Sequence, residues 1–232
     1  MKLIMIDLDV LIDKNELAAD TALLLNRIRK KGNLICFISR LPRFHIQKNF
    51  YRYYNGFICN NGRLAFTCCE MFVNHPMTET EVSSLRKCAA DENTGCAFSD
   101  LRSLYYEGTQ EGYDAFVNRF GAGYVKHGIP ADGKFFGCVF YGTLENMKLP
   151  EGMFLSGDES FGYVLTDRDD RVNAAIRSAR KLSLKKEDTV YLTADLYDDS
   201  LAEWAYSVFR MEQTEDGRYH LPAEELRNHS LI

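Results

Sequence analysis

The first dozen residues constrain this chain most. Lys2-Leu3-Ile4-Met5-Ile6 is an apolar run of strand length, and it closes on Asp7-Leu8-Asp9 before Val10-Leu11-Ile12. Such a run puts both acids at the carboxyl end of a buried strand, and ligands bind at that edge of open α/β sheets. Alternation along the strand sends Asp7 and Asp9 to one side and Leu8 to the other.

The residues that follow repeat the pattern. Asn15 is placed to cap a helix from about Glu16 to Lys31, with Leu17, Thr21, Leu24, Leu25 and Ile28 on one face. Gly32 is the expected stop, and 33–38 is a second buried strand ending on Ser39-Arg40. Strand, helix, strand with short turns is the parallel crossover unit. A second helix over Arg43 to Tyr54 leads to a short strand, Phe57-Ile58-Cys59, and to the turn Asn60-Asn61-Gly62. Segments 63–67 and 70–73 flank a hairpin.

Beyond residue 76 strands and helices no longer alternate simply. Thr78 and Glu81 stand at capping-box spacing, 104–106 is strand-like, 111–120 helical, 121–133 loop-like and 134–141 a strand. This mixture indicates an inserted α+β unit. From about Gly162 the first rhythm returns: a helix starting near Arg171, the buried strand Thr189 to Thr193, then Ala194-Asp195-Leu196-Tyr197-Asp198-Asp199. A second acidic cluster thus stands at a strand's carboxyl end. Segment 200–204 reads as helical, 206–209 as a short strand and 224–227 as a helical turn.

Composition narrows the function classes. The chain has 232 residues, 46% hydrophobic, and a net charge of −5 with no long basic run, which argues against a nucleic-acid partner. No apolar stretch nears the roughly 20 residues of a membrane span. Asp7 and Asp9 interrupt any leader-like apolar core, so a cytoplasmic protein is expected. The seven cysteines form no Cys-x-x-Cys pair, and the adjacent Cys68-Cys69 has no histidine at zinc spacing, so reduced thiols are expected.

Four strand ends therefore carry polar groups: Asp7 with Asp9, Ser39, the Asn61-Gly62 turn, and Asp195 with Asp199. Arg171 starts a helix between the last two. Converging carboxylates repel one another unless a cation stands among them, and oxygen-only ligands favour Mg²⁺. A carboxylate beside such a cation, an arginine and a hydroxyl can attack phosphorus.

This order of motifs resembles the haloacid-dehalogenase-like phosphatases. Ser39-Arg40 and Asn60-Asn61-Gly62-Arg63 resemble their Cof-type branch, in which a large cap is inserted between the third strand and the basic helix. The resemblance implies an α/β fold: a Rossmann-like parallel-sheet core over 1–76 and 159–232, with an inserted α+β cap domain over 77–158. It implies a Mg²⁺-dependent phosphohydrolase acting on a small phosphorylated metabolite through an aspartyl-phosphate, because a large cap closing over the site would exclude polymers and water. Asp7 would be the nucleophile and Asp9 the acid and base. Ser39, Arg40, Asn61, Gly62, Arg171 and Asp198 would face the substrate phosphate. Asp7, Asp9 (through its backbone carbonyl), Asp195 and Asp199 would hold Mg²⁺.

The chain departs from the family pattern at four places. Val10 and Leu11 stand for Gly and Thr, Arg171 for Lys and Asp198 for Asn. These departures motivate an alternative, a catalytically degenerate relative that binds a phosphorylated ligand or a protein partner. Phosphotransfer to a second sugar hydroxyl is a third possibility.

Overall fold

The computed structural model describes residues 1–13, 15–67, 70–145, 147–157, 160–166, 169–194, 199–215 and 217–232. The chain divides into two compact units. One is Met1–Leu41 with Ile46–Asn74 and Arg168–Ile232; the other is His75–Asp167 with Pro42–His45.

The first unit begins with β1 (Leu3–Asp7), the two-residue strands β2 (Ile12–Asp13) and β3 (Glu16–Leu17), α1 (Ala19–Lys30), β4 (Leu34–Ile38), α2 (Arg43–Phe50), β5 (Gly56–Cys59), β6 (Leu64–Thr67) and β7 (Met71–Asn74). All five residues of β1 are buried. This strand lies inside the sheet, pairing in parallel with β4 on one side through Leu3–Leu34 to Asp7–Ile38. A parallel strand covered on both faces needs apolar side chains at every position, which is why β1 shows no alternation.

The second unit contains α3 (Glu79–Asp91), β8 (Gly95–Ser99), β9 (Leu104–Glu107), α4 (Gln110–Phe120), β10 (Val125–His127), β11 (Gly137–Tyr141), β12 (Phe154–Gly157) and β13 (Phe161–Leu165). Its six-stranded sheet runs β10-β9-β8-β11-β13-β12. The Thr78 hydroxyl accepts from the Glu81 N–H and the Glu81 carboxylate accepts from the Thr78 N–H, so the expected capping box starts α3. Leu85, Phe98, Phe135 and Phe140 form its core, and Phe116 meets Phe161 edge-on at 5.2 Å.

The chain returns to the first unit with α5 (Asp169–Lys181), β14 (Thr189–Thr193), α6 (Asp199–Trp204), β15 (Ser207–Arg210), β16 (Glu212–Gln213), β17 (Tyr219–His220) and α7 (Ala223–Asn228). The seven-stranded sheet runs β15-β14-β1-β4-β5-β6-β7, parallel through β5 and antiparallel thereafter. Chain order runs outward from β1 on both sides, so the end of β1 is the switch point of the sheet.

Several local expectations change. The first helix starts at Ala19 and not near Glu16, because Ile12–Asp13 pair with Glu16–Leu17 as the β2–β3 ribbon, Ile12 opposite Leu17. Asn15 has φ +70° and belongs to the turn of that ribbon, not to a helix cap. The second helix ends at Phe50. Strand β10 runs through the segment expected to be loop, because Val125 to His127 pair with Leu104 to Tyr106. Strands β8, β12 and β13 lie in segments where the sequence pattern marks no strand. The pairing of β13 with β11 extends the second sheet to Leu165, past the expected boundary at 158/159. Among the described residues no helix is long and apolar enough to cross a membrane. Cys36, Cys59, Cys88, Cys96 and Cys138 are free thiols, whereas Cys68 and Cys69 lie outside the described residues.

Candidate active site

Asp7 ends β1 as a buried residue, and the Leu8 N–H still donates to the Ile38 carbonyl at 2.9 Å. The chain then turns, closed by the Leu11 N–H on the Leu8 carbonyl at 3.0 Å. The Asp9 N–H donates to Asp7 Oδ1 at 3.3 Å, so the first acid braces the turn carrying the second. Two of the departures from the family pattern lose their force here. Val10 is not among the residues of positive φ, so no glycine is required at this position. The backbone bond at Leu11 closes the loop without a side-chain hydroxyl, and its side chain is buried as part of the core.

The loop after β4 holds Asp9. Ser39 Oγ donates to Asp9 Oδ1, and the Arg40 N–H donates to Asp9 Oδ2 at 2.9 Å. The Arg40 Nε lies 3.5 Å from the same oxygen. The Ser39 hydroxyl also accepts from the Leu41 N–H at 3.0 Å. The resemblance implies phosphate contacts for Ser39 and Arg40; both are turned here to the second acid. A hydroxyl has one proton, so Ser39 must release Asp9 before it can donate to another oxygen.

Electrostatics distinguish the first acid. Burial pushes the Asp7 carboxyl up from 3.8 to about 7; the Arg171 guanidinium opposes this, the Asp9 charge reinforces it, and Arg40 and the Asp9 N–H oppose it further. Burial wins over both guanidiniums. The two guanidiniums leave that burial unoffset, and the Asp7 oxygens suit a hard divalent cation.

Asn60, Asn61 and Gly62 all have positive φ, at +48°, +54° and +89°. This left-handed run links β5 to β6. It is tied back by the Asn60 N–H on the Leu41 carbonyl at 3.3 Å and the Gly62 N–H on the Cys59 carbonyl at 3.2 Å. Asn61 is buried, and among the described residues no hydrogen-bond partner reaches its Nδ2. Gly62 lies against the first turn of α5, which carries Arg171. Asn60 joins Asn61 and Gly62 in this turn, and the run of two asparagines before a glycine is its signal in the sequence.

The second acidic cluster escapes comparison. Asp195 and Asp198 lie outside the described residues, as does the side chain of Asp199, whose backbone begins α6. Among the described residues no three His, Cys, Asp or Glu side chains group as a metal site. The donor chemistry of Asp7 nevertheless fits Mg²⁺.

No family model and no curated protein matches the chain. Solved structures do. A sugar phosphatase of subclass IIB of the HAD (haloacid dehalogenase) superfamily aligns over 100% of both chains, with a TM-score of 0.73 and 14% identity. A HAD-superfamily phosphatase from Bacteroides thetaiotaomicron aligns over 100% of this chain and 96% of its own, with a TM-score of 0.71 and 12% identity. A haloacid dehalogenase-like hydrolase from B. subtilis aligns over 100% of this chain and 99% of its own, with a TM-score of 0.71 and 15% identity. Over its whole length this chain has the fold of the haloacid-dehalogenase-like phosphatases.

Proposed function

We propose that the chain is a Mg²⁺-dependent phosphohydrolase acting on a small phosphorylated metabolite, such as a sugar phosphate, through an aspartyl-phosphate on Asp7. One observation carries the reading: a buried carboxylate at the switch point of the sheet, with the second acid clamped beside it by Ser39 and Arg40. The likeness to phosphatase structures supports the reaction class, and the sugar phosphatase among them suggests the substrate class.

In this reading Asp7 attacks phosphorus, the P–O bond to the leaving alcohol breaks, and Asp9 supplies the alcohol's proton. Asp9 then takes a proton from water, which hydrolyses the acyl phosphate and restores Asp7. Arg171 stabilises charge on the phosphoryl oxygens. Asp7, the Asp9 carbonyl, Asp195 and Asp199 would hold Mg²⁺, which supplies positive charge to the nucleophile and the phosphoryl group. With Val10 and Leu11 accommodated by the backbone, Arg171 and Asp198 are the departures left to motivate a binding-only protein.

The test is hydrolysis of an aryl phosphate and of a panel of sugar phosphates, with and without Mg²⁺, using Asp7→Asn as control. Mg²⁺-dependent release abolished in Asp7→Asn is expected. Undiminished release by the variant would sink the mechanism. Phosphate binding without turnover by the wild type would favour the binding-only protein.

A further inference from the structure

Gly62 is distinguished from the other glycines of positive φ in the first unit by what it touches. A Cβ added there would meet the Asp170 carbonyl carbon, with the Asp170 oxygen at 2.5 Å and the Arg171 nitrogen at 2.6 Å. These are backbone atoms, which cannot swing aside as a side-chain tip can. Among the described residues, a Cβ at Gly32 (φ +80°) would meet nothing within 4 Å, and the same holds at Gly217 (φ +82°). The requirement at Gly62 is therefore contact as well as conformation: the Asp170–Arg171 peptide rests on its bare Cα.

The same turn is fastened on its other side. The Asn60 N–H donates to the carbonyl of Leu41, and the Leu41 N–H donates to the Ser39 hydroxyl that holds Asp9. The Ser39 N–H in turn donates to the Ile58 carbonyl in β5, at 2.9 Å. A short, left-handed piece of backbone thus connects the loop that fixes the second acid with the peptide that launches Arg171. Neither end of this connection uses a flexible side chain of the turn, so the spacing it sets is stiff.

We propose that the Asn60-Asn61-Gly62 turn is a positioning element, with Gly62 seating the first turn of α5 and thereby setting where the Arg171 guanidinium stands relative to the loop that holds Asp9. The proposal rests on the phosphohydrolase reading only for its consequence: Arg171 placed this way receives the phosphoryl group. It gives Gly62 a role through backbone contact and not through contact with substrate, and it explains why the turn combines three consecutive left-handed residues where a two-residue turn would join β5 to β6.

The experiment compares Gly62→Ala with Gly32→Ala, which takes a like φ penalty without the contact, in wild-type and Arg171→Ala backgrounds. One readout needs no catalysis: the Arg171 Nε–H resonance of the ligand-free protein. It should move in Gly62→Ala and stay in Gly32→Ala. The second readout is KM for an aryl phosphate and competition by inorganic phosphate. Gly62→Ala should weaken both by about tenfold with a smaller change in kcat, and should add less than about twofold once Arg171 is Ala, because residues acting through one another are not additive. Effects that multiply independently, or an Arg171 resonance that does not move, would overturn the proposal. Should Gly62→Ala not fold, Asn60→Ala carries the same comparison, disfavouring the left-handed turn without adding atoms. A wild type that neither hydrolyses nor binds phosphate, with the resonance still displaced in Gly62→Ala, would remove the phosphohydrolase reading and leave the positioning of Arg171 standing.

Discussion

Replacing Asp7 with Asn should make the metal-free protein more stable while destroying its proposed chemistry. The carboxyl is buried, and its displacement from 3.8 to about 7 favours the protonated form in the folded state. Between those two values the folded chain binds more protons than the unfolded chain, so stability falls as pH rises through that window and levels off above it. At about 1.36 kcal/mol per unit of displacement, the ionised carboxylate costs up to about 4 kcal/mol above pH 7. Asn is nearly the same shape and neutral at every pH. Urea unfolding of both proteins in EDTA, from pH 4 to pH 8.5, isolates the term, because titrating groups remote from Asp7 cancel in the difference. The advantage of Asp7→Asn should grow across the window, approaching a few kcal/mol at pH 8.5, and Mg²⁺ should narrow it by binding only the wild type. A difference that stays flat with pH would refute the argument, since it would mean that burial does not oppose ionisation at this position.

Two further changes test other parts of the molecule. Ser39→Ala removes the hydroxyl that donates to Asp9 and accepts from Leu41, and hydrogen bonds to charged groups contribute about 1.5–3 kcal/mol; kcat/KM for an aryl phosphate should fall by about ten- to a hundredfold, and unchanged kinetics would exclude a part for Ser39 in holding Asp9. In the second unit, a Cβ at Gly112 would strike the Tyr106 hydroxyl and come within 2.8 Å of Cζ. Overpacking of about 1–3 kcal/mol then outweighs the roughly 1 kcal/mol that Ala gains over Gly in a helix, so Gly112→Ala should lower the melting temperature. Tyr106→Phe should recover part of the loss, and a Gly112→Ala protein as stable as the wild type would show that Tyr106 can move.

Much of the architecture was legible because burial on both faces leaves a plain mark. The runs at Leu3, Leu34 and Thr189 are apolar or neutral nearly throughout, and each became an interior strand of the parallel sheet. Val172, Ala175 and Ala179 recur at helical spacing in the sequence of α5 and pack in or against the core. The inserted unit was harder. Strand β8 reads Gly-Cys-Ala-Phe-Ser, and β12 reads Phe-Leu-Ser-Gly with no residue fully buried. Short strands with small residues take their state from the strands beside them. Near Asn15 a helical apolar pattern continues backward through Leu17, yet Ile12–Asp13 pair with Glu16–Leu17, because a residue at φ +70° breaks a helix and makes a ribbon turn.

The sequence by itself determined which side chains stand at the ends of the buried strands, and in what order: Asp7 and Asp9, Ser39, then the Asn-Gly turn, with Arg171 opening a helix. Periodicity and turn chemistry are local, so they survive in one dimension. Only the tertiary structure decided what those groups do to each other. It turned Ser39 and Arg40 onto Asp9, raised the Asp7 carboxyl by a burial that two guanidiniums leave unoffset, and pressed Gly62 against the peptide before Arg171. Burial, Coulomb interaction and close backbone contact depend on segments far apart in the chain, and no pattern along a single segment records them.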